Sequence, residues 1–421
     1  MRKLLLLLSA ILVSAYMSAQ RADSLLVAQM REKGVTFSHD NNVTLLKTGH
    51  EKFDDLLRAV SLAKSSVHLE YFNFRNDSIA GLLFDILKKK ASEGVEVRAL
   101  YDGFGNFSNN RPLKKRHLKE LRANGIEIYP YKDVVFPWLQ TFFNRDHRKI
   151  VVIDGRIAYT GGMNVADYYI TGTDMVGEWN DMHCRIEGTE VNSLQKIFIA
   201  MWNRVTGQNI SGAKYYCSPY TDRSYFTGLK QDSSPTAGMK MVGIATREPH
   251  RTQDMMRSFY VNAINDAQDS IKIISPYFTL TPCLKKALKN ALKRGVRVEI
   301  MLSEKCDVML SPDCGFYNAH KLMKRGAEVW IYQPGFHHTK IIMVDGKLCT
   351  VGSTNLNARS MRWDYECNAI IIDPYTTKEL SDLFNSEKAE SFYLTEEKWR
   401  EWRKPGKRFV GWFAHFLAPF L

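Results

Sequence analysis

The chain has 421 residues, of which 45% are hydrophobic and 12% aromatic, enough apolar mass for two ordinary domains and too much for a disordered polypeptide. Its formal charge of +13 favours anionic partners, either acidic lipid surfaces or nucleic acid. Its seven cysteines (Cys184, Cys217, Cys283, Cys306, Cys314, Cys349 and Cys367) contain no C-x-x-C and no His/Cys cluster with zinc spacing, which argues against a metal-ribbon module.

The first residues read as a targeting segment. Arg2 and Lys3 form a charged start, Leu4 to Ala15 an apolar run, and Ser18-Ala19 a small-residue cleavage site. The run is short against the roughly 20 residues of a spanning helix. Residues 1–19 are therefore expected to be a signal peptide, with an uncleaved N-terminal anchor as the alternative. No later apolar run is long enough to span a bilayer.

Two similar halves follow, over 40–207 and 246–395. SSVHLEYFNF (65–74) parallels DSIKIISPYF (269–278), GVEVRALYD (94–102) parallels GVRVEIMLS (295–303), and ANGIEIYPY (123–131) parallels KRGAEVWIY (324–332). Each is a strand pattern, and Lys/Ala/Leu-rich helix patterns lie between them. Strands alternating with helices imply crossover connections, hence an α/β fold with a mixed, largely parallel sheet flanked by helices. The polar, Gly/Ser/Tyr-rich stretch 208–245 reads as the linker, and 396–421 as a basic amphipathic tail.

Each half ends in the same cassette. The first is His147-Arg-Lys149-Ile-Val-Val-Ile-Asp154 and the second His338-Thr-Lys340-Ile-Ile-Met-Val-Asp345. Seven residues after each Asp begins a small pair and then an Asn: Gly161-Gly162-Met163-Asn164 and Gly352-Ser353-Thr354-Asn355. Along a strand, alternate residues share a face, so the imidazole and ammonium of each H-x-K lie side by side. Asp-Gly in both copies is a two-residue hairpin signal. Counting back from it places Gly162 opposite His147 and Ser353 opposite His338, leaving room beside each imidazole for a ligand. A lone H-x-K is usually a half-exposed strand. Two copies with matching turns and tails instead imply His, Lys and Asn converging on one small anion. Asp154 and Asp345, on the opposite strand face, are expected to fix the hairpins.

The paired H-x-K-x4-D-x6-G-[GS]-x-N cassettes resemble the phospholipase D superfamily. The resemblance implies two halves packed around one phosphodiester, with His147, Lys149, Asp154, His338, Lys340 and Asp345 as the catalytic set. Asn164, Asn355, Gly162 and Ser353 would support the phosphate, and no metal or other cofactor would be needed. One histidine would attack phosphorus, a role given by family analogy to His147. The other would serve the leaving and entering alcohols. The family also places an acid after each cassette to orient a histidine, which matches Asp181 and Glu366.

Several stretches look more specifically like bacterial cardiolipin synthases, over roughly residues 43–421. They include VHLEYFNF, GVEVRALYDGFG, EWNDMHCRIEGTEV, SPYF with Tyr277, and GSTNLNARS. Asn357 and Asn180 depart from that pattern, which usually has Asp and Arg there. The reaction implied is phosphatidyl transfer, with phosphatidylglycerol as donor and a second phosphatidyl lipid as acceptor. The alternatives are an exported phospholipase D-type hydrolase and, after it, a nuclease. Two features favour a membrane partner over nucleic acid and a place in the bacterial cell envelope. The tail interleaves Arg400, Arg403, Lys404, Lys407 and Arg408 with Trp412, Phe413, Phe416 and Leu417, although it would also suit a helix docked on the core. FPWLQTFF (136–143) is an apolar run in an expected loop, able to dip into lipid or to pack inside.

Overall fold

The computed structural model describes residues 25–134, 142–216 and 226–419. The expected signal peptide or anchor, Cys217 and all of FPWLQTFF except Phe142 and Phe143 lie outside the described residues.

In chain order the strands of the first half are β1 (Phe37–Leu46), β2 (Ser66–Tyr71), β3 (Glu96–Asp102), β4 (Ile126–Tyr131), β5 (Ile150–Ile153), β6 (Ile157–Gly161), β7 (Glu178–Asn180) and β8 (His183–Glu187). Those of the second are β9 (Lys240–Arg247), β10 (Ser270–Ile274), β11 (Arg297–Ser303), β12 (Glu328–Tyr332), β13 (Gly335–His337), β14 (Ile341–Val344), β15 (Leu348–Gly352), β16 (Glu366–Ile372) and β17 (Ser391–Tyr393). Among the described residues all but β7 and β13 join in one 15-stranded sheet, ordered β17-β12-β11-β10-β14-β15-β16-β9-β1-β8-β6-β5-β2-β3-β4.

The strand order is mirrored about its centre. Outside β17 and the central β9 and β1, each half contributes the same run, β12-β11-β10-β14-β15-β16 mirrored by β4-β3-β2-β5-β6-β8. The sheet is mixed, but its parallel part is smaller than the crossover pattern suggested. Parallel pairing within it is confined to β2–β3–β4 and β10–β11–β12. The cassette hairpins β5–β6 and β14–β15 and the strands that follow them are antiparallel. So is the seam β8–β1–β9–β16 that sews the halves together. Within the stretch 208–245 expected as the linker, β9 starts at Lys240 and is a central strand. The first half begins before residue 40, with β1 at Phe37.

Both faces of the sheet are covered by helices, which explains the unbroken apolar runs of the cassettes. Val151 and Ile153 enter the first half's core beside Phe53, Leu56 and Leu83, while Ile342 and Val344 enter the second's beside Phe259 and Leu288. Ile150 and Val152 point the other way, with Ile341 and Met343, into a third core shared by both halves. The described residues of the tail, 396–419, pack on the body of the protein. The helix Glu396–Trp402 buries Trp399, and the helix Pro405–Leu417 docks through Gly411 and Ala414. A Cβ on Gly411 would lie 2.6 Å from the Asp313 carbonyl oxygen, so a glycine is needed for this approach.

The cassette aspartates act as latches. Asp154 accepts from the amides of Lys64, Ser65 and Ser66 at 2.8, 2.7 and 2.8 Å. Asp345 accepts from those of Gln268, Asp269 and Ser270 at 2.9, 2.8 and 2.9 Å. Each ties its hairpin to the segment entering β2 or β10. Both aspartates sit at positive φ, 54° and 52°, a conformation that Asp tolerates better than most residues. The hairpin register differs by one residue from the two-residue loop read from the sequence: Ile153 pairs with Ile157, and Val344 with Leu348. Gly162 and Ser353 therefore do not face the histidines across the ladder.

Asp154→Ala leaves three amides without their acceptor, two of them on exposed residues that water can reach. The expected cost is about 2 kcal/mol, measurable by urea unfolding. An unchanged midpoint would remove the latch role.

Candidate active site

The two cassettes meet at the seam between halves, and main-chain bonds set their approach. The segment before each histidine runs parallel to the segment before the other half's acid. β13 pairs with β7, His337 opposite Asn180, and the His338 amide donates to the Asn180 carbonyl at 2.7 Å. At the pseudo-equivalent place Asp146 bridges Tyr365, and the His147 amide donates to the Tyr365 carbonyl at 3.1 Å. Asp181 and Glu366 are the next residues, so each is delivered to the histidine of the opposite half. His338 Nδ1 lies 2.7 Å from Asp181 Oδ2, and His147 Nδ1 lies 3.2 Å from both Glu366 oxygens. The sequence suggested an acid for each histidine; the exchange of acids between halves is added by the structure. With Nδ1 of each ring engaged by a carboxylate, Nε2 is the nitrogen left for chemistry.

The small residues of the signature make room for these acids rather than for a ligand. A Cβ on Gly162 would collide with the Asp181 carboxylate. In the second half the longer Glu366 is met by hydroxyls: Ser353 Oγ donates to Oε2, and Ser360 Oγ donates to Oε1 at 2.6 Å. Ser360, in the helix Ala358–Arg362, was not singled out from the sequence. Its only signal was its place in the ARS run after the cassette. Asn357, one of the two departures, caps this helix by accepting from the Ser360 amide at 2.8 Å. The other, Asn180, donates its side-chain amide to Tyr332 Oη at 2.8 Å.

Both lysines curl back over their own cassettes. Lys149 Nζ donates to the His147 carbonyl at 2.6 Å, and Lys340 Nζ to that of His338, within 3.7 Å of Asp181. Asn164 and Asn355 are buried, and each has a side-chain oxygen without a hydrogen-bond partner. A second unforeseen residue, Lys52, is fully buried, with Nζ donating to the Asn164 carbonyl at 3.1 Å and stacked 3.8 Å from the centre of the Phe53 ring. It fixes the main chain at the first asparagine. A lysine in an amphipathic helix gives no hint of such a role. Tyr277 donates to Asp307 at 2.6 Å and sets its ring edge-on to His338, with centroids 5.8 Å apart. Phe72 does the same for His147 at 5.3 Å.

Burial governs the electrostatics. It lowers His147 below the usual imidazole value, and Lys149 and Lys340 lower it further. Burial and Lys340 also lower His338, against the pull of Asp181. The Asp181 carboxyl, which burial alone would raise, is held below the usual carboxylate value by Lys340 and His338. Burial pushes Glu366 up to about 7 despite Lys149. Burial also pushes Lys149 down to about 7, opposed by Glu366 and aided by Lys340. Groups of both halves thus share one field. An anion entering it would restore charge to the lysines.

A cleft of about 340 Å³ opens onto His147, Glu366 and Asn355, with Phe72, Phe104, Tyr277 and Met309 as its apolar walls. Among the described residues no group of three metal-ligating side chains occurs, and no helix is long and apolar enough to cross a membrane.

Residues 56–202 and 260–388 match the family described as "Cardiolipin synthase, PLD-like domain". The chain is 33% identical over 397 residues to the cardiolipin synthase of Oceanobacillus iheyensis, covering 94% of this chain and 79% of that protein. It is 35% identical over 384 residues to cardiolipin synthase 2 of Staphylococcus epidermidis, covering 91% and 75%. Its fold is that of the phosphatidylserine synthase of Haemophilus influenzae, with a TM-score of 0.68 at 15% identity over 96% of this chain and 99% of that one. The chain therefore belongs to the phospholipase D superfamily, in its bacterial cardiolipin synthase-like branch. It is accordingly a phosphatidyltransferase of that superfamily.

Asp181→Asn removes the charge facing His338 and keeps the shape of the side chain. NMR titration of the histidine rings in the full chain should show His338 protonating at lower pH, with His147 nearly unmoved. A shift at His147 instead would contradict the exchange of acids between halves.

Proposed function

We propose that the protein joins two phosphatidylglycerols into cardiolipin with release of glycerol, through a phosphohistidine. The observation that carries this reading is the pair of cassette histidines at one seam, each with Nδ1 held by the other half's carboxylate. His147 Nε2 attacks phosphorus and the P–O bond to glycerol breaks, His338 giving its proton to the departing oxygen. The hydroxyl of a second phosphatidylglycerol then attacks, the P–N bond breaks, and His338 takes the proton back. The covalent step divides one difficult displacement into two. Lys149, Lys340, Asn164 and Asn355 hold the non-bridging oxygens as charge builds on them. The aspartates Asp154 and Asp345, latched to backbone amides, support the site without touching the substrate.

The apolar walls beside His147 support a lipid acceptor over water. Synthase and hydrolase differ only in what attacks the phosphohistidine, and a synthase must keep water out while the second lipid binds. The enzyme would work at the membrane surface of the bacterial envelope. Exported phospholipase D-type hydrolysis is the alternative, and a nuclease stands behind it.

Incubation with phosphatidylglycerol vesicles separates the three. Cardiolipin plus glycerol is the expected outcome, phosphatidic acid would mean a hydrolase, and inertness with DNA cleavage would mean a nuclease. His147→Ala should abolish turnover while leaving the unfolding midpoint in place; retained turnover would sink the nucleophile assignment. The pH dependence has a definite sign. Lys149 is charged below its value of about 7 and neutral above it. Hence kcat/KM for phosphatidylglycerol should fall as pH rises through about 7, while kcat, reporting the loaded site, should hold to higher pH. A kcat/KM that stays level across that range would remove Lys149 from anion binding.

A further inference from the structure

Outside the catalytic cleft, a basic cavity of about 720 Å³ opens beside the helix Pro405–Leu417. Lys285, Lys289 and Lys293 line it from the helix Pro282–Lys293, at intervals of four residues that place them on one face. Arg325, Arg362 and His415 close it from three other elements, and among the described residues no carboxylate side chain lines it. Lys285 Nζ lies 3.0 Å from His415 Nδ1. Burial lowers both groups, and Lys289 adds repulsion to each. Lys293, Arg325 and Arg362 are exposed, and with Lys285 and Lys289 they present one basic surface to an approaching anion.

The neighbouring surface says which anion. The helix Pro405–Leu417 buries Gly411 and Ala414, and turns Phe409, Trp412, Phe413 and Phe416 outward, each at least 43% exposed. Their i, i+3, i+4, i+7 spacing makes one apolar stripe, and Phe416 forms part of the cavity wall. An apolar aromatic stripe beside a basic cavity matches the boundary of an anionic bilayer, where rings enter the acyl edge and phosphates lie beside them.

We propose that this cavity holds the phosphate of an anionic phospholipid headgroup as a non-catalytic docking site, with the aromatic stripe inserted in the same leaflet. The short helix Ala358–Arg362 relates it to the reaction. Ala358 and Arg362 line the cavity, while Arg359 and Ser360 line the catalytic cleft. A headgroup held there seats the cleft on the bilayer that supplies its lipids. The docking is separate from the reaction proposed above and is read without turnover.

The test is co-sedimentation of the full chain with phosphatidylcholine vesicles, with and without phosphatidylserine. Lys289→Glu/Arg325→Glu should weaken binding to the phosphatidylserine vesicles about tenfold or more and leave binding to pure phosphatidylcholine unchanged. Reversing two exposed lysines of the first half, Lys89→Glu/Lys119→Glu, should cost far less. Turnover of monomeric short-chain phosphatidylglycerol should be kept by the cavity variant. If that variant fails to fold, Lys285→Gln/Lys293→Gln gives the same comparison. Equal losses from the two charge reversals would overturn the proposal, leaving only a diffuse basic surface. So would calorimetric binding of inorganic phosphate, abolished by Lys289→Glu/Arg325→Glu, with vesicle binding unaffected: the cavity would then serve a soluble anion.

Discussion

Each cassette histidine is held by a carboxylate from the other half of the chain, and the rest of the site follows from that constraint. A strand carrying its acid one residue beyond a cross-half main-chain bond can present it only to the opposite imidazole. Neither half can orient its own histidine, so a complete site requires both halves in register. The antiparallel seam through β1 and β9, with the third core beneath it, maintains that register. The glycine of one cassette and the serine of the other belong to the same arrangement. One clears space for Asp181 and the other gives Glu366 a hydroxyl.

The two pairs are alike in connectivity and unlike in charge. Asp181 is held as a carboxylate by Lys340 and His338, at a short distance from the ring. Glu366 sits in a cradle of two serine hydroxyls and is pushed up to about 7 by burial. A histidine facing a fixed negative charge is the better holder of a proton, and one facing a carboxyl near half-protonation is more readily neutral. That difference runs in the sense required if His338 handles protons and His147 attacks. Lys149 and Glu366, both drawn toward neutrality by burial, form a site that gains most when a phosphate arrives.

Much of this was legible in the residues. The paired strands at 65–74 and 269–278, 94–102 and 295–303, and 123–131 and 324–332 contain β2 and β10, β3 and β11, and β4 and β12, because apolar runs of strand length, the last four opened by a Gly, leave little choice. The cassettes declared their chemistry through identical spacing. Register was less accessible: a single residue in the Asp-Gly turn moved Gly162 and Ser353 from beside the histidines to beside the acids. The seam strands were missed for a different reason. β9 lies at the end of a polar stretch, and pairing between residues some 200 positions apart leaves no local pattern. Lys52 gave no warning and Ser360 only its place in the ARS run, since a buried lysine on a main-chain carbonyl and a serine under a carboxylate are decided by tertiary contact.

The division of labour between the histidines can be tested with a donor whose leaving group needs no acid. In a rapid-quench reaction of His338→Ala with phosphatidyl-p-nitrophenol, the account predicts a stoichiometric burst of nitrophenol and a phosphatidyl group on the peptide carrying His147. Without His338 to activate the acceptor, the adduct should persist long enough for mass analysis. The absence of a burst, or an adduct on any residue other than His147, would contradict it.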